Sequence, residues 1–475
     1  MHSFRTSRFG RLRLLVGAAM TLGTMAGWAA APPRADRPNI LLIVGDDMGY
    51  ADVGFHGCQD IPTPNLDKLA ASGVRFTSGY VSGPYCSPTR AGLLTGRYQT
   101  RFGHEFNPSA SANGLPLSQQ TIAQHLQAAG YVTGLVGKWH LGQAPDFHPQ
   151  RRGFDEFYGF LGGAHDYFQA AGVLRGTNAV TELDYTTDAF GREAAAFIQR
   201  HKARPWFLYL AFNAVHTPMQ ATDARLARFS AVADPQRRTY NGMMLALDEA
   251  VGRVLDTLAQ AGLEQNTLVF FISDNGGPVM PGTSVNASRN TPLRGGKRTT
   301  LEGGIRVPFV VSWPGHLRPG LYERPVIQLD LAATALAAAG LRLRPDWQLD
   351  GVNLLPYLQG RRRDAPHEAL FWRFGRQMAI RVGDYKLVRY DSNADTLTGA
   401  RNQAVTDAKL YNLVADPGET NDLAAAMPDK VRELQARWDA WNAANVAPLW
   451  GGGVAGAGPQ PANKAKRAKR APAPQ

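Results

Sequence analysis

The chain alternates short, continuous apolar runs with segments of helical periodicity that stop at glycine. Asn39-Ile40-Leu41-Leu42-Ile43-Val44 is apolar at every position after the first, the pattern of a strand buried on both faces of a sheet. Thr63 to Gly73 predicts a helix with Thr63 as N-cap, Pro64 in the first turn and Gly73 as terminator. Val74 to Thr77 then returns as a strand. The same unit recurs from Thr121 to Gly130 followed by Tyr131 to Val136, and from Met243 to Gly262 followed by Thr267 to Ile272. Asp330 to Gly340 adds another helix ended by glycine. This alternation predicts an α/β sandwich around a mostly parallel sheet.

After about Ala365 the period changes. Ala369 to Phe374, Gln377 to Val382, Tyr385 to Tyr390 and Lys409 to Leu413 read as short strands joined by turns, and Met427 to Asn445 as a closing helix. A small antiparallel α+β subdomain is therefore expected over 365–447, beside a main unit over 36–364.

Composition adds the ends of the chain. Of 475 residues, 44% are hydrophobic, enough for a large core, and 50 Gly and 31 Pro imply many turns and long loops. Arg5, Arg8, Arg11 and Arg13 precede an apolar stretch from Leu14 to Trp28, with small residues near Ala29. That is the layout of an export signal over 1–29, cleaved after Ala29. The apolar run is short for a bilayer span, so no stable membrane anchor is expected. The protein is read as exported, periplasmic or secreted. The formal charge of +12 is concentrated at the ends: four Arg lie in the leader, and five positive charges lie at Lys464, Lys466, Arg467, Lys469 and Arg470, leaving +3 for the body. A body so mildly basic does not suggest nucleic-acid binding. Residues 451–475, rich in Gly, Ala, Pro and Lys, are expected to form a disordered basic tail. Two cysteines, Cys58 and Cys86, allow one disulfide in an exported chain.

In open α/β sheets ligands bind beyond the carboxyl ends of the strands. After the first apolar run come Gly45-Asp46-Asp47, after Tyr131 to Val136 Gly137-Lys138-Trp139-His140, after Trp206 to Phe212 Asn213-Ala214-Val215-His216, and after Thr267 to Ile272 Ser273-Asp274-Asn275. Each has a plain structural reading as a turn, a cap, a loop histidine or a solvated lysine. Together their types complement one another. Asp46, Asp47, Asp274 and Asn275 offer oxygen ligands for a hard divalent cation. Arg90, Lys138, His140, His216 and Lys297 offer donors for an oxyanion. Cys86, in Cys86-Ser87-Pro88-Thr89-Arg90, opens a predicted helix whose N-terminus favours an anion.

The run Cys86 to Arg97 resembles the signature of the formylglycine-dependent sulfatases. The resemblance extends in family order through Asp46 to Tyr50, Thr63 to Asp67, Gly137 to Gly142, Ser273 to Gly277, and Leu293 to Lys297 through Glu302 to Pro308. Within the family it is most similar to the arylsulfatase A and N-acetylgalactosamine-6-sulfatase branch. It implies an alkaline-phosphatase-like fold and a catalytic unit over 36–364. It also implies Cys86 oxidised to 3-oxoalanine (formylglycine) by a formylglycine-generating enzyme. Asp46, Asp47, Asp274 and Asn275 would hold Ca²⁺, in preference to Mg²⁺, with an oxygen of modified residue 86. Arg90 would stabilise the hydrated aldehyde, Lys138 and Lys297 would bind sulfate oxygens, His140 would deprotonate the residual hydroxyl, and His216 would lie near the leaving oxygen. A hydrated aldehyde carries two hydroxyls, one to attack sulfur and one whose deprotonation expels sulfate. The implied reaction is hydrolysis of a sulfate monoester on a sulfated sugar or an aryl sulfate. Gly153 to Gly159 with His165, Asp166 and Tyr167 resembles carbohydrate sulfatases, and His104 and Glu105 are candidate substrate contacts. The alternatives are a phosphate or phosphonate ester hydrolase of the same superfamily, or a non-catalytic sulfated-glycan binding protein.

Overall fold

The computed structural model describes residues 37–451, apart from 109, 111, 281, 282, 393 and 395–403. The leader 1–29 and the tail beyond Gly451 lie outside the described residues. Ten strands form one sheet, in the order Gly320–Tyr322, Val74–Phe76, Phe309–Ser312, Thr267–Ser273, Asn39–Gly45, Trp206–Ala211, Val132–Lys138, Glu156–Phe160, Leu174–Arg175 and Asn178–Ala179. The five central strands, from Thr267–Ser273 to Glu156–Phe160, are parallel. Phe309–Ser312 runs antiparallel to both of its neighbours, as does Leu174–Arg175 at the other side.

The apolar runs are continuous because both sheet faces are covered. Ile40, Leu42 and Val44 pack with Leu94, Leu126 and Leu336, from the helices Cys86–Thr95, Ile122–Ala128 and Leu329–Ala338. Leu41 and Ile43 pack on the other face with Leu66, Phe197 and Val251, from Pro64–Ala71, Thr186–His201 and Pro235–Gln260. Successive residues of one strand thus feed two cores.

Two elements depart from the expected pattern. Thr186–His201 is a helix that the sequence reading leaves unassigned. The helix expected from Met243 begins at Pro235, with Asp234 capping Gln236 N–H. Its first turn is polar, and Arg237 within it is buried because it pairs with Asp52 and Asp60.

Thr121 caps its helix through a reciprocal box: its Oγ1 accepts from Gln124 N–H at 3.1 Å, and Gln124 Oε1 accepts from Thr121 N–H at 2.9 Å. The same hydroxyl donates to the Arg152 carbonyl at 2.8 Å. Thr121→Ala is expected to cost about 1–2 kcal/mol, read as a lower midpoint in thermal or urea unfolding. An unchanged midpoint would remove the cap from the account of this helix.

At the C-terminal end, Leu370–Phe374, Gln377–Val382, Tyr385–Arg389 and Lys409–Asn412 form a four-stranded antiparallel meander closed by the helix Pro428–Asn442. It is joined to the main sheet region by buried charge. Lys386 Nζ lies 2.9 Å from both Glu302 Oε1 and Glu419 Oε1, all three fully buried. No helix among the described residues is long and apolar enough to cross a membrane.

Candidate active site

The carboxyl ends of the parallel strands deliver their polar residues to one buried edge. Asp46 and Asp47 follow Asn39–Gly45 directly, and the chain there is tied to the neighbouring strand end. Asp46 N–H donates to the Ala214 carbonyl at 2.9 Å, and Val215 N–H donates to the Asp46 carbonyl at 2.7 Å. Lys138 ends Val132–Lys138 after Gly137, which has φ +114 and where a Cβ would stand 1.9 Å from the Ala211 carbonyl oxygen. Only glycine lets the two strands approach so closely. Cys86 is the first residue of the helix Cys86–Thr95, every position of which is buried.

The site is organised around four carboxylate-bearing or thiol-bearing residues. One ligand atom from each of Asp46, Asp47, Cys86 and Asp274 lies within 4.8 Å of the others. Cys86 Sγ is 3.6 Å from Asp46 Oδ1. Asn275 Nδ2 donates to Asp47 Oδ1 at 2.7 Å, which turns its Oδ1 elsewhere, buried and without a protein partner. Such an atom marks a place for a ligand the chain itself does not supply. The donors are oxygens except for the sulfur at 86, and an oxygen there would complete a set suited to a hard cation. A second grouping, Asp46, Cys86 and His216, has donor types suited to zinc. His216 is already committed elsewhere: Nδ1 lies 2.6 Å from the Thr217 carbonyl and Nε2 lies 3.6 Å from Asp47.

Cations surround this group. Arg90 donates to Asp274 Oδ2 from Nε at 3.1 Å and from Nη2 at 2.8 Å, and Nη2 lies 3.4 Å from Asp46. Its Nη1 reaches the Tyr209 hydroxyl at 3.2 Å. Lys138 pairs with Asp46. Lys297 donates to Asp47 at 2.7 Å and to Ser284 Oγ at 3.0 Å. Burial and the nearby Asp274 raise the Asp46 carboxyl to about 7, against Lys138 and Arg90. Burial acts the same way on Asp47, but Lys297 and His216 outweigh it and hold that carboxyl well below the usual range. Burial pushes the Cys86 thiol up, against Lys138 and Lys297. It pushes His216 down to about 4 and His140 well below its ordinary value, with the surrounding cations adding to the effect on His140. Both imidazoles are thus neutral at pH 7, and His140 Nδ1 is buried without a partner.

The sequence-predicted residues Asp46, Asp47, Cys86, Arg90, Lys138, His140, His216, Asp274, Asn275 and Lys297 therefore meet at one edge. Ser284, Asn286 and Tyr209 belong there too and were not anticipated. Asn286 Nδ2 bridges the Asp47 and Val215 carbonyls, at 3.1 and 2.9 Å. Ser284 and Asn286 stand in a loop without periodicity, and Tyr209 reads as one more apolar strand residue. Cys58 and Cys86 are both free thiols, so the possible disulfide is absent.

Two expected substrate contacts are corrected. His104 is fully buried behind Ser87, with Nε2 2.6 Å from Ser87 Oγ. Glu105 is buried in an ion pair with Arg373 at 2.7 Å. Tyr167 is buried as well, its hydroxyl 2.8 Å from both the Asn213 and the His216 carbonyl oxygens. His165 stays partly exposed, stacked on Phe160 with ring centroids 4.9 Å apart.

Burial pushes His104 down to about 3 from 6.5. Its folded value is below the unfolded one, so its contribution to stability is full above pH 6.5 and is lost as pH falls toward 3. At pH 4.5 the loss is roughly 3 kcal/mol. The gap between unfolding midpoints at pH 7 and 4.5 is expected to narrow in His104→Gln; an equal gap in both proteins would contradict this assignment.

A cavity of about 380 Å³ lies away from this edge, lined by Asp155, Glu156, Tyr158, Arg175, Glu193 and Arg200 among others. Its arginines are paired, Arg175 with Glu193 and Arg200 with Glu156.

The sulfatase family model matches residues 38–341. A model of the N-sulphoglucosamine sulphohydrolase C-terminal region matches residues 296–439. The chain is 35% identical to N-acetylgalactosamine-6-sulfatase of Homo sapiens over 440 residues, covering 82% of each chain. It is 37% identical to arylsulfatase A of Bos taurus over 468 residues, covering 88% of this chain and 89% of the relative. The solved structure of Ps i-CgsB in complex with k-i-k-neocarrahexaose is similar at a TM-score of 0.80 and 37% identity, covering 87% of this chain and 94% of that one.

Proposed function

The chain belongs to the sulfatase family, the hydrolases of sulfate esters, and on that premise we propose that it cleaves a sulfate monoester on a sulfated carbohydrate, using a formylglycine made from Cys86 and a bound Ca²⁺. The observation that carries this reading is Cys86 at the head of a buried helix, 3.6 Å from Asp46, among three carboxylates and the free Oδ1 of Asn275. Asp46, Asp47, Asp274 and Asn275 would hold the ion with an oxygen at position 86. When bound, the ion supplies positive charge that lowers the pKa of a hydroxyl nucleophile and neutralises sulfate charge. The aldehyde supplies, once hydrated, two hydroxyls on one carbon.

The remaining roles fall to side chains of this chain. Arg90 fixes the Asp274 and Asp46 carboxylates through its fork. Lys138, paired with Asp46, and Lys297, paired with Asp47, bind sulfate oxygens. His140, whose Nδ1 is buried without a protein partner, takes the proton of a hydroxyl at position 86. His216, neutral and the most exposed of the group, lies toward the leaving oxygen.

A sugar substrate is favoured by what the relatives are named for: N-acetylgalactosamine 6-sulfate in one, and a bound neocarrahexaose in another. The test is release of inorganic sulfate from N-acetylgalactosamine 6-sulfate, from sulfated galactan oligosaccharides and from an aryl sulfate. It is paired with the mass of the tryptic peptide Phe76–Arg90 from protein made in its own host. Sulfate release with an aldehyde at 86 supports the reading, and a native thiol at 86 in active protein overturns it. Activity is expected to fall at least tenfold on chelation with EGTA and to return with Ca²⁺. Return with Zn²⁺ but not with Ca²⁺ would reassign the ion. The leader over 1–29 supports an exported enzyme, periplasmic or secreted.

A further inference from the structure

Ser87, the residue after Cys86, is held by groups that take no part in the chemistry above. Its backbone N–H donates to Asn107 Oδ1 at 3.0 Å. Its Oγ lies 2.6 Å from His104 Nε2 and 2.6 Å from the carbonyl oxygen of His140. A serine hydroxyl has one proton, and a carbonyl can only accept. Ser87 Oγ–H therefore donates to the His140 carbonyl, and His104 Nε2–H donates to Ser87 Oγ. This places the His104 proton on Nε2.

His140 needs such a hold. Its φ is +59, a left-handed conformation that a side-chain-bearing residue adopts only when its surroundings impose it. The order of contact is thus His104 to Ser87 to the His140 peptide, with Cys86 next to Ser87 in the chain.

His104 is itself backed by the end of the described chain. The Trp450 ring stands edge-on to it, with centroids 4.8 Å apart at 78°, and Trp450 Nε1 donates to the Phe106 carbonyl at 2.9 Å. The segment is laid along the 100–106 stretch by backbone bonds. Val446 N–H donates to the Thr100 carbonyl at 3.1 Å, and Leu449 N–H donates to the Gly103 carbonyl at 2.9 Å. Gly103 has φ +76, and a Cβ there would stand 2.7 Å from the Ala447 carbonyl oxygen, so the two segments fit without room for a side chain. Arg373 ties both together, donating to Glu105 at 2.7 Å and to the Val446 carbonyl at 2.6 Å.

We propose that residues 446–451 are a strap that positions the active site through Trp450, His104 and Ser87, holding the His140 peptide and the first turn of the Cys86 helix in the geometry needed for turnover. These are positioning residues, since they reach the reacting atoms only through Cys86 and His140. The kinetic part of the proposal rests on the sulfatase reading of the site; the structural part does not.

The test uses full-length His104→Leu, His104→Gln and Trp450→Ala, with kcat expressed per mole of aldehyde-bearing, folded protein. His104→Leu is expected to lower kcat about 10- to 100-fold and Trp450→Ala about 10-fold, with KM within about twofold. His104→Gln, whose amide donates from the place of Nε2, is expected to recover most of the loss. Amide hydrogen exchange read by mass spectrometry is the second measurement. Peptides over 84–95 and 138–142 are expected to exchange faster in the Leu and Ala variants and at the wild-type rate in the Gln variant. Unchanged kcat and exchange in His104→Leu, or a Gln variant as damaged as the Leu one, would overturn the proposal. A wild-type protein that releases no sulfate would overturn the functional reading instead, and the exchange rates would still decide for or against the strap.

Discussion

Cys86→Ala is expected to lower kcat by about 10⁴-fold or more while leaving the fold intact. The side chain is buried and loses one atom on truncation, and its Sγ makes a polar approach of 3.6 Å to Asp46 Oδ1. The stability cost is about 1 kcal/mol, so the unfolding midpoint moves by no more than a few degrees. Activity, in contrast, loses the proposed nucleophile. Cys86→Ser sharpens the test. An introduced hydroxyl can attack sulfur and pass its proton to the departing alcohol, but it has no second hydroxyl on its carbon to expel the sulfate. The expected product is a peptide Phe76–Arg90 heavier by one SO₃, formed once and not turned over. A Cys86→Ala protein within tenfold of the wild type in kcat would sink the nucleophile assignment.

Arg90→Ala is expected to destabilise the protein by about 3–5 kcal/mol, because it strands buried carboxylates without their partner. Arg90 is wholly buried and bonds Asp274 twice, with Asp46 at 3.4 Å and the Tyr209 hydroxyl at 3.2 Å. The unfolding midpoint is expected to fall by roughly 5–10 °C. Arg90→Lys keeps the charge but not the two-pronged contact, and should lie between the two. The double variant Arg90→Ala with Asp274→Asn removes a stranded charge as well. It is expected to regain part of the stability and none of the activity, since Asp274 is also a proposed ligand. That divergence separates the two roles of the pair. An Arg90→Ala protein as stable as the wild type would mean that the carboxylates lie in water or are neutral, and the electrostatic account of the site would fail.

Much of the fold was legible where a residue's neighbours along the chain already carry the constraint. The strands Asn39–Gly45, Trp206–Ala211 and Thr267–Ser273 stand out because burial on both faces demands an unbroken apolar run. The four C-terminal strands fall within about one residue of expectation, because each is bounded by turn residues. Polar residues at strand ends were legible as candidate ligands because a parallel sheet gathers those ends together. The start of Pro235–Gln260 was not: Arg237 looks solvated in sequence, and only Asp52 and Asp60, far away in the chain, explain its burial. His104 and Glu105 look like polar loop residues for the same reason, and both are interior.

The sequence by itself determined the layer architecture, the family, and which side chains gather at the candidate site, because periodicity and motif spacing are properties of neighbours along the chain. The tertiary structure decided how those side chains are paired and charged. That Asp46 is raised while Asp47 is lowered follows from what each one meets: burial and Asp274 outweigh Lys138 and Arg90 at the first, and Lys297 with His216 outweighs burial at the second, across separations of 44 to 250 residues. The support behind Cys86, from Ser87 through His104 to Trp450, is likewise a matter of contact between distant segments. Electrostatic and packing energies depend on distance and burial in space, and a linear order of residues holds neither until the chain has folded.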